Sequence, residues 1–187
     1  MKEGQTVGRL LVKMKGKINE IIIRYPKESD FDKVWKFDNK VIKETKFLDT
    51  IKPINKRDEK SWFLDMLEGI RKKNYVYLLA EHKGVVVGAC TVRRQKQETY
   101  LHVGVYDIVV EKNYWRLGIG EMLTKNVIAI AKNGLGLKIL RLILYSGNKS
   151  AEELYKKFGF RVAGRIPNGV IHGTKCMDEI IFYKVLK

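Results

Sequence analysis

The stretch "YDIVVEKNYWRLGIGEMLTKNVIAIAK", residues 106 to 132, places two glycines one residue apart where a β-branched run gives way to an amphipathic one. The run ends at Val110, and helical spacing begins near Leu117 or Gly118. A helix that starts there turns its first amide groups, unsatisfied within the helix, back toward the end of the strand. Such an end attracts anions through free N–H groups and the helix dipole. Gly118 and Gly120 let a phosphate approach backbone atoms that a Cβ would shield, and they serve tight helix–strand packing equally well. Two commoner phosphate loops do not fit. A Walker A loop requires Lys followed by Ser or Thr after its last glycine, where Glu121 and Met122 stand. A dinucleotide fingerprint requires a third glycine three residues after Gly120, where Leu123 stands. Neither G-x-S-x-G nor H-E-x-x-H occurs, and His82, His102 and His172 are the only histidines that could serve a metal or a triad.

The elements that must position this junction are readable around it. "EIIIRYP" (20–26) is a β-branched strand stopped by Pro26. Residues 29–45 form a helix capped by Ser29 or Asp30, and residues 59–73 a second, with Trp62, Met66 and Ile70 on one stripe. Residues 75–94 read as a hairpin about Lys83 and Gly84, and 98–110 as a long third strand run. After the helix at 118–132 come a strand at 138–146, a helix at 150–160 and a last strand at 178–186. Ser150 with Glu153 makes a capping-box pattern, and Gly159 stands where a helix end wants positive φ. The order β-α-α-β-β-β-α-β-α-β predicts an α/β fold whose mixed sheet is an antiparallel meander followed by at least one parallel crossover.

At 187 residues the chain reads as one domain, residues 20–187, preceded by a basic segment, residues 1–19. That segment sets Lys2, Arg9, Lys13, Lys15 and Lys17 against Glu3 alone, and reads as a flexible arm or an added edge strand. The whole chain carries 37 Lys and Arg against 21 Asp and Glu, a net charge of +16, spread without an arginine-rich block. Such an excess attracts polyanions: nucleic acid, ribosomes, acidic membranes or a phosphorylated cofactor. No apolar run approaches the roughly 18 residues of a membrane span. Cys90 and Cys176 lack metal spacing, no cleavable signal precedes them, and a reduced cytoplasmic compartment fits best.

"IVVEKNYWRLGIGEML", followed about 30 residues later by "YSGNKSAEELYKKFGF", resembles the Gcn5-related N-acetyltransferase superfamily, and "IIIRYPKESDFDKVW" resembles the usual opening of that fold. The resemblance covers roughly residues 20 to 187. It implies a mixed, mostly antiparallel sheet with flanking helices and a splayed parallel strand pair. It also implies acetyl-CoA as cosubstrate, no metal, and a primary amine (protein N-terminus, amino acid or small amine) attacking directly in a ternary complex. The pyrophosphate would rest on the amides of Trp115, Arg116, Leu117, Gly118, Ile119, Gly120 and Glu121, and pantetheine would pair with the strand edge at Ile108, Val109 and Val110. One position departs: Trp115 stands where the family's loop usually has Gln or Arg, so that contact does not carry over, although Arg116 offers a cation nearby.

Acetyl transfer asks for a proton acceptor at the amine, donors to the oxyanion and an acid for the thiolate. The resemblance places the acid at Tyr155, with Asn148 beside pantetheine or capping its turn, and the Val110 N–H on the thioester oxygen. The base is left open among Asp107, Glu111, His102 and water. Residues 165–179, the first helix pair and the turn at 46–58 are expected to wall the acceptor site, with Asp178 offering a charge to a cationic amine. The overall positive charge argues against a polycationic polyamine as sole substrate. A nucleic-acid or ribosome-binding module on a catalytically silent fold is the rival reading, and a homodimer is left open.

Overall fold

The structure, a computed structural model, describes residues 2–187. Its strands are β1 (Thr6–Met14), β2 (Lys17–Arg24), β3 (Tyr75–His82), β4 (Val85–Arg94), β5 (Val103–Val110), β6 (Ile139–Tyr145), β7 (Arg161–His172) and β8 (Lys175–Val185). Its helices are α1 (Phe31–Glu44), α2 (Lys56–Arg71), α3 (Ile119–Asn133) and α4 (Lys149–Lys157). The strands form one sheet in the spatial order β1-β2-β3-β4-β5-β6-β8-β7, and of these pairs only β5–β6 is parallel. Among the described residues, no helix is long and apolar enough to cross a membrane.

Central strands carry continuous apolar runs because both faces are covered. Val76 through Ala80 of β3 are all buried. Lys83 (φ 49°) and Gly84 (φ 81°) close the β3–β4 hairpin with two left-handed residues, the geometry that matches strand twist. On one face α1 and α2 pack through Val34, Phe37, Phe63 and Met66; on the other, α3 packs through Ile119, Leu123 and Val127. Tyr106 marks the α3 face, where its hydroxyl bonds Thr124 Oγ1 at 2.8 Å, so Asp107 one residue on faces the α1–α2 side.

One alternative is decided and three local readings change. Residues 6–14 of the leader are the added edge strand, antiparallel to β2, with Val12 buried. The run 98–110 is a strand only from Val103, because Glu98–Tyr100 form a 3₁₀ turn. Residues 161–172, unassigned from sequence, form β7. Its alternation is broken at Gly164, Pro167, Asn168 and Gly169, and the β7–β8 ladder absorbs these with register shifts at Val162/Gly164 and Ile166/Val170. An edge strand tolerates Pro167 there. Finally, α4 is capped by Asn148, whose side chain accepts from the Ala151 amide at 3.3 Å, and not by Ser150. At the other end of α4, Gly159 (φ 76°) makes the expected left-handed stop.

Candidate active site

The site begins where two strands part. β5 and β6 are joined by three register pairs, Val103–Ile139, Gly104–Leu140 and Val105–Arg141, after which they diverge. Glu111 donates its N–H to the Val87 carbonyl at 3.0 Å, and Gln95 donates to the Val103 carbonyl at 3.0 Å. These bonds set the phase of the β4–β5 ladder: odd-numbered residues of β5 bond to β4. The N–H and C=O of Ile108 and the N–H of Val110 therefore point toward the side from which β6 has withdrawn. The Val110 carbonyl is taken by the indole N–H of Trp115 at 2.6 Å.

At this gap, between the start of α3 and the C-terminal end of α1, lies a groove of about 290 Å³ lined by Ile108, Val110, Arg116, Gly118, Gly120 and Asn148, with Val41, Glu44 and Leu48 across from them. Arg116 (φ 61°) and Gly118 (φ 79°) are both left-handed, and Gly118 is the N-cap of α3 without any side-chain cap. Among the described residues, the amides of Arg116 through Glu121 donate to no backbone acceptor; the first to do so is Met122, to the Gly118 carbonyl at 3.0 Å. Six free N–H groups at a helix start form an anion cradle. The two glycines differ in their reasons. Gly118 is required by its positive φ, whereas a Cβ on Gly120 would only touch Leu154 Cδ2 at 3.5 Å and Ile108 Cδ1 at 3.8 Å. Arg116 and Lys157 stand at the groove, each with a carboxylate: Arg116 Nη1 to Glu153 at 3.3 Å and Lys157 Nζ to Glu121 at 2.6 Å.

On the α1–α2 side lies a larger cavity of about 600 Å³ that shares Val41, Phe47 and Leu48, as well as Ile108, Val109, Asn148 and Ala151, with the groove. Asp107 and Tyr155 both line it. Tyr155 belongs to α4, whose Leu154 and Lys157 pack beside the start of α3, so it reaches this cavity by way of the gap. It is 6% exposed within a ring cluster with Tyr106, Phe160 and Phe182. Burial, then the charge of Asp107, raises its phenol far above the ordinary value, so it keeps its proton. Asp107 is open to the cavity rather than enclosed, yet the surrounding protein governs its titration. Desolvation and the neighbouring Asp49 charge push its carboxyl up to about 6, against the pull of Arg93.

The other expected residues fall elsewhere. His102 is exposed at the paired end of β5, where its carbonyl takes the Lys138 and Ile139 amides, and it lines neither cavity. Glu111 is buried and held by Lys40 Nζ of α1, pinning the end of β5 to that helix outside both cavities. Asp178 is used up inside the β7–β8 hairpin, accepting from Arg165 Nε at 2.6 Å and the Asn168 amide at 2.9 Å. Residues 165–179 line neither cavity; the walls on that side come from α1, α2 and the 47–54 connection. That connection is held by Asn39, which exchanges hydrogen bonds with the Ile54 backbone at 2.8 and 3.1 Å. Sequence reasoning passed over Asp38, Asp49, Glu59 and Tyr145, all on this wall. One signal was available: Asp38 stands four residues from both Val34 and Ile42, a carboxyl on an apolar stripe.

Comparison with known proteins agrees with this geometry. A family model described as the acetyltransferase (GNAT) family matches residues 40–160. The L-amino acid N-acetyltransferase AaaT of Escherichia coli is 26% identical over 108 residues, 58% of this chain and 67% of that protein. The san protein of Drosophila melanogaster is 29% identical over 122 residues, 65% of this chain and 63% of its own length. The solved Sinorhizobium meliloti phosphinothricin acetyltransferase, in complex with acetyl-CoA, superposes with a TM-score of 0.79 at 15% identity, covering 89% of this chain and 88% of that one. The chain belongs to the acetyltransferase (GNAT) family.

Proposed function

We propose that the protein moves the acetyl group of acetyl-CoA to a primary amine held in the larger cavity, by direct attack with both substrates bound. The observation that carries this is the β5–β6 divergence beyond Val105–Arg141, which joins an anion cradle on one face to a cavity holding Asp107 and Tyr155 on the other. The residues present fit the cosubstrate: six free amides and two nearby cations suit its phosphates, and an unpaired strand edge suits its amide-bearing arm. When bound, acetyl-CoA supplies a thioester carbonyl activated toward amines. The basic surface speeds arrival of its phosphates.

The remaining chemistry belongs to the chain. The Val110 N–H, aimed into the gap, donates to the developing oxyanion. Asp107 receives the proton of the attacking amine, its carboxyl poised near neutral as a base should be. Tyr155 gives its proton to the departing thiolate. Its raised phenol does not prevent this, because the same desolvation bears on the sulfur anion. Protonation of Asp107 also removes the charge that holds the Tyr155 proton in place, so accepting one proton eases release of the other. The test is to offer acetyl-CoA with a panel of primary amines and follow thiol release and product mass. Acetylated amine from wild type, and at least 100-fold less from Asp107→Asn, is expected. A protein that binds acetyl-CoA yet acetylates no amine overturns the proposal.

A further inference from the structure

The larger cavity runs against the charge of the whole. In a chain of net charge +16, its lining includes Asp38, Asp49, Asp58, Glu59 and Asp107, and no Lys, Arg or His. Three of these acids are committed: Asp49 accepts the Tyr145 hydroxyl, Asp58 the Asn55 side chain, and Asp107 stands at the reacting end. Glu59 is different. It is 3% exposed, and its Oε1 is the one buried side-chain polar atom without a hydrogen-bond partner among the described residues. A buried carboxyl oxygen with no N–H or hydroxyl donor is costly, and here the Asp38 carboxyl of α1 faces it. Burial, then the Glu59 charge, raises Asp38 well above the carboxyl range, so Asp38 keeps its proton, shares it with Glu59, and the pair presents one negative charge to the cavity. Trp62 and Tyr77 stand in the same wall with rings edge to face at 5.9 Å, surfaces that suit a cation.

The distance between the two ends follows from the sheet. Tyr77, Thr91 and Asp107 are register partners on neighbouring strands, all lining this cavity. Two strand spacings separate Tyr77 from Asp107 by roughly 10 Å at the backbone. A short aliphatic chain bridges that span.

We infer that the acceptor is a small dication: a primary amine presented to Asp107 whose other end carries a second positive group, ammonium or guanidinium, bound by Asp38 and Glu59 against Trp62. This rests on the acetyl-transfer reading and names its substrate class. It reverses the expectation from net charge, because the field that an acceptor meets is set by the cavity's own carboxyls, several ångströms away, while the lysines are dispersed and screened on the outer surface. It also disfavours acceptors bearing a carboxylate, for which the lining supplies no cation.

The experiment compares 1,5-diaminopentane with pentylamine and with lysine, both by calorimetric binding and by kcat/KM with acetyl-CoA. The diamine is expected to bind and react at least about tenfold better than pentylamine, the scale of one charge-assisted hydrogen bond, with lysine below both. The double variant Asp38→Asn/Glu59→Gln, which removes the pair's one negative charge, is expected to collapse the diamine-to-monoamine ratio toward one, with each single variant between it and wild type. Equal binding of diamine and monoamine by wild type, or a ratio unchanged in the double variant, overturns the inference. Acetylation of amines without that preference would leave the transfer reading standing and remove this one. Preferential diamine binding without acetylation would keep the dication site and remove the transfer reading, and with it the diamine's role as acceptor.

Discussion

Asp107 and Tyr155 stand 48 positions apart in the sequence, yet line one cavity, and the charge of the first raises the phenol of the second. In the proposed transfer the pair titrates in opposite senses. Because the Asp107 carboxyl is pushed up to about 6, the base form fills as pH rises through that value. The acid limb of kcat/KM is therefore expected near pH 6, and to vanish in Asp107→Asn along with most activity. Stability carries the opposite sign. A folded value above the unfolded one means that ionising Asp107 opposes folding between about pH 4 and 6, so Asp107→Asn should gain stability over wild type above that window. A pH–rate profile on variant and wild type, with thermal melts at pH 4 and 7, checks both.

Tyr155→Phe keeps the ring that packs on Tyr106, Phe160 and Phe182 and removes only the hydroxyl. A fall of kcat by about 10²–10⁴ is expected, with acetyl-CoA affinity within a few-fold of wild type. Steady-state kinetics beside calorimetry separates the two, and full activity in a folded variant would return Tyr155 to a packing role.

The two loop glycines are expected to respond differently. Ala at Gly118 must adopt φ 79°, a strain of about 1–3 kcal/mol, so Gly118→Ala should weaken coenzyme A binding about tenfold or more. Gly120→Ala meets only ordinary contacts and should bind within a few-fold. Gly118→Asp and Gly120→Asp, each adding a negative charge to the cradle, should abolish binding. Calorimetry with coenzyme A measures all four.

Removal of residues 1–15 strips β1, including buried Val12 and the Leu10 side chain that lies 3.7 Å from where a Gly118 Cβ would stand. A stability loss of about 2–5 kcal/mol is expected from those apolar contacts, read as a lower denaturant midpoint, together with weaker coenzyme A binding. An unchanged midpoint would show that β1 is an ornament on the sheet.

What the sequence disclosed was local. The cradle was legible because positive φ and close backbone approach admit few residue types, and Gly118 and Gly159 announce them directly. The Lys83–Gly84 turn was legible for the same reason. Asn148 and Ser150 both suit a cap, and only the path of the chain into α4 decides for Asn148. β7 escaped because Gly164, Pro167 and Gly169 break the alternation that marks a strand, and only its pairing with β8 restores it. The acidic wall was hidden for another reason. Asp38, Glu59 and Asp107 lie on three elements far apart in sequence, and net charge, a sum over the whole surface, pointed the other way.

The central claim is direct transfer through the gap between β5 and β6. Initial velocities measured over a grid of acetyl-CoA and amine concentrations test it most directly, with intact mass recorded on protein incubated with acetyl-CoA alone. Intersecting double-reciprocal lines and no acetyl mass added to the protein are expected. Parallel lines with a covalently acetylated chain would contradict direct attack and require a nucleophile of the protein in its place.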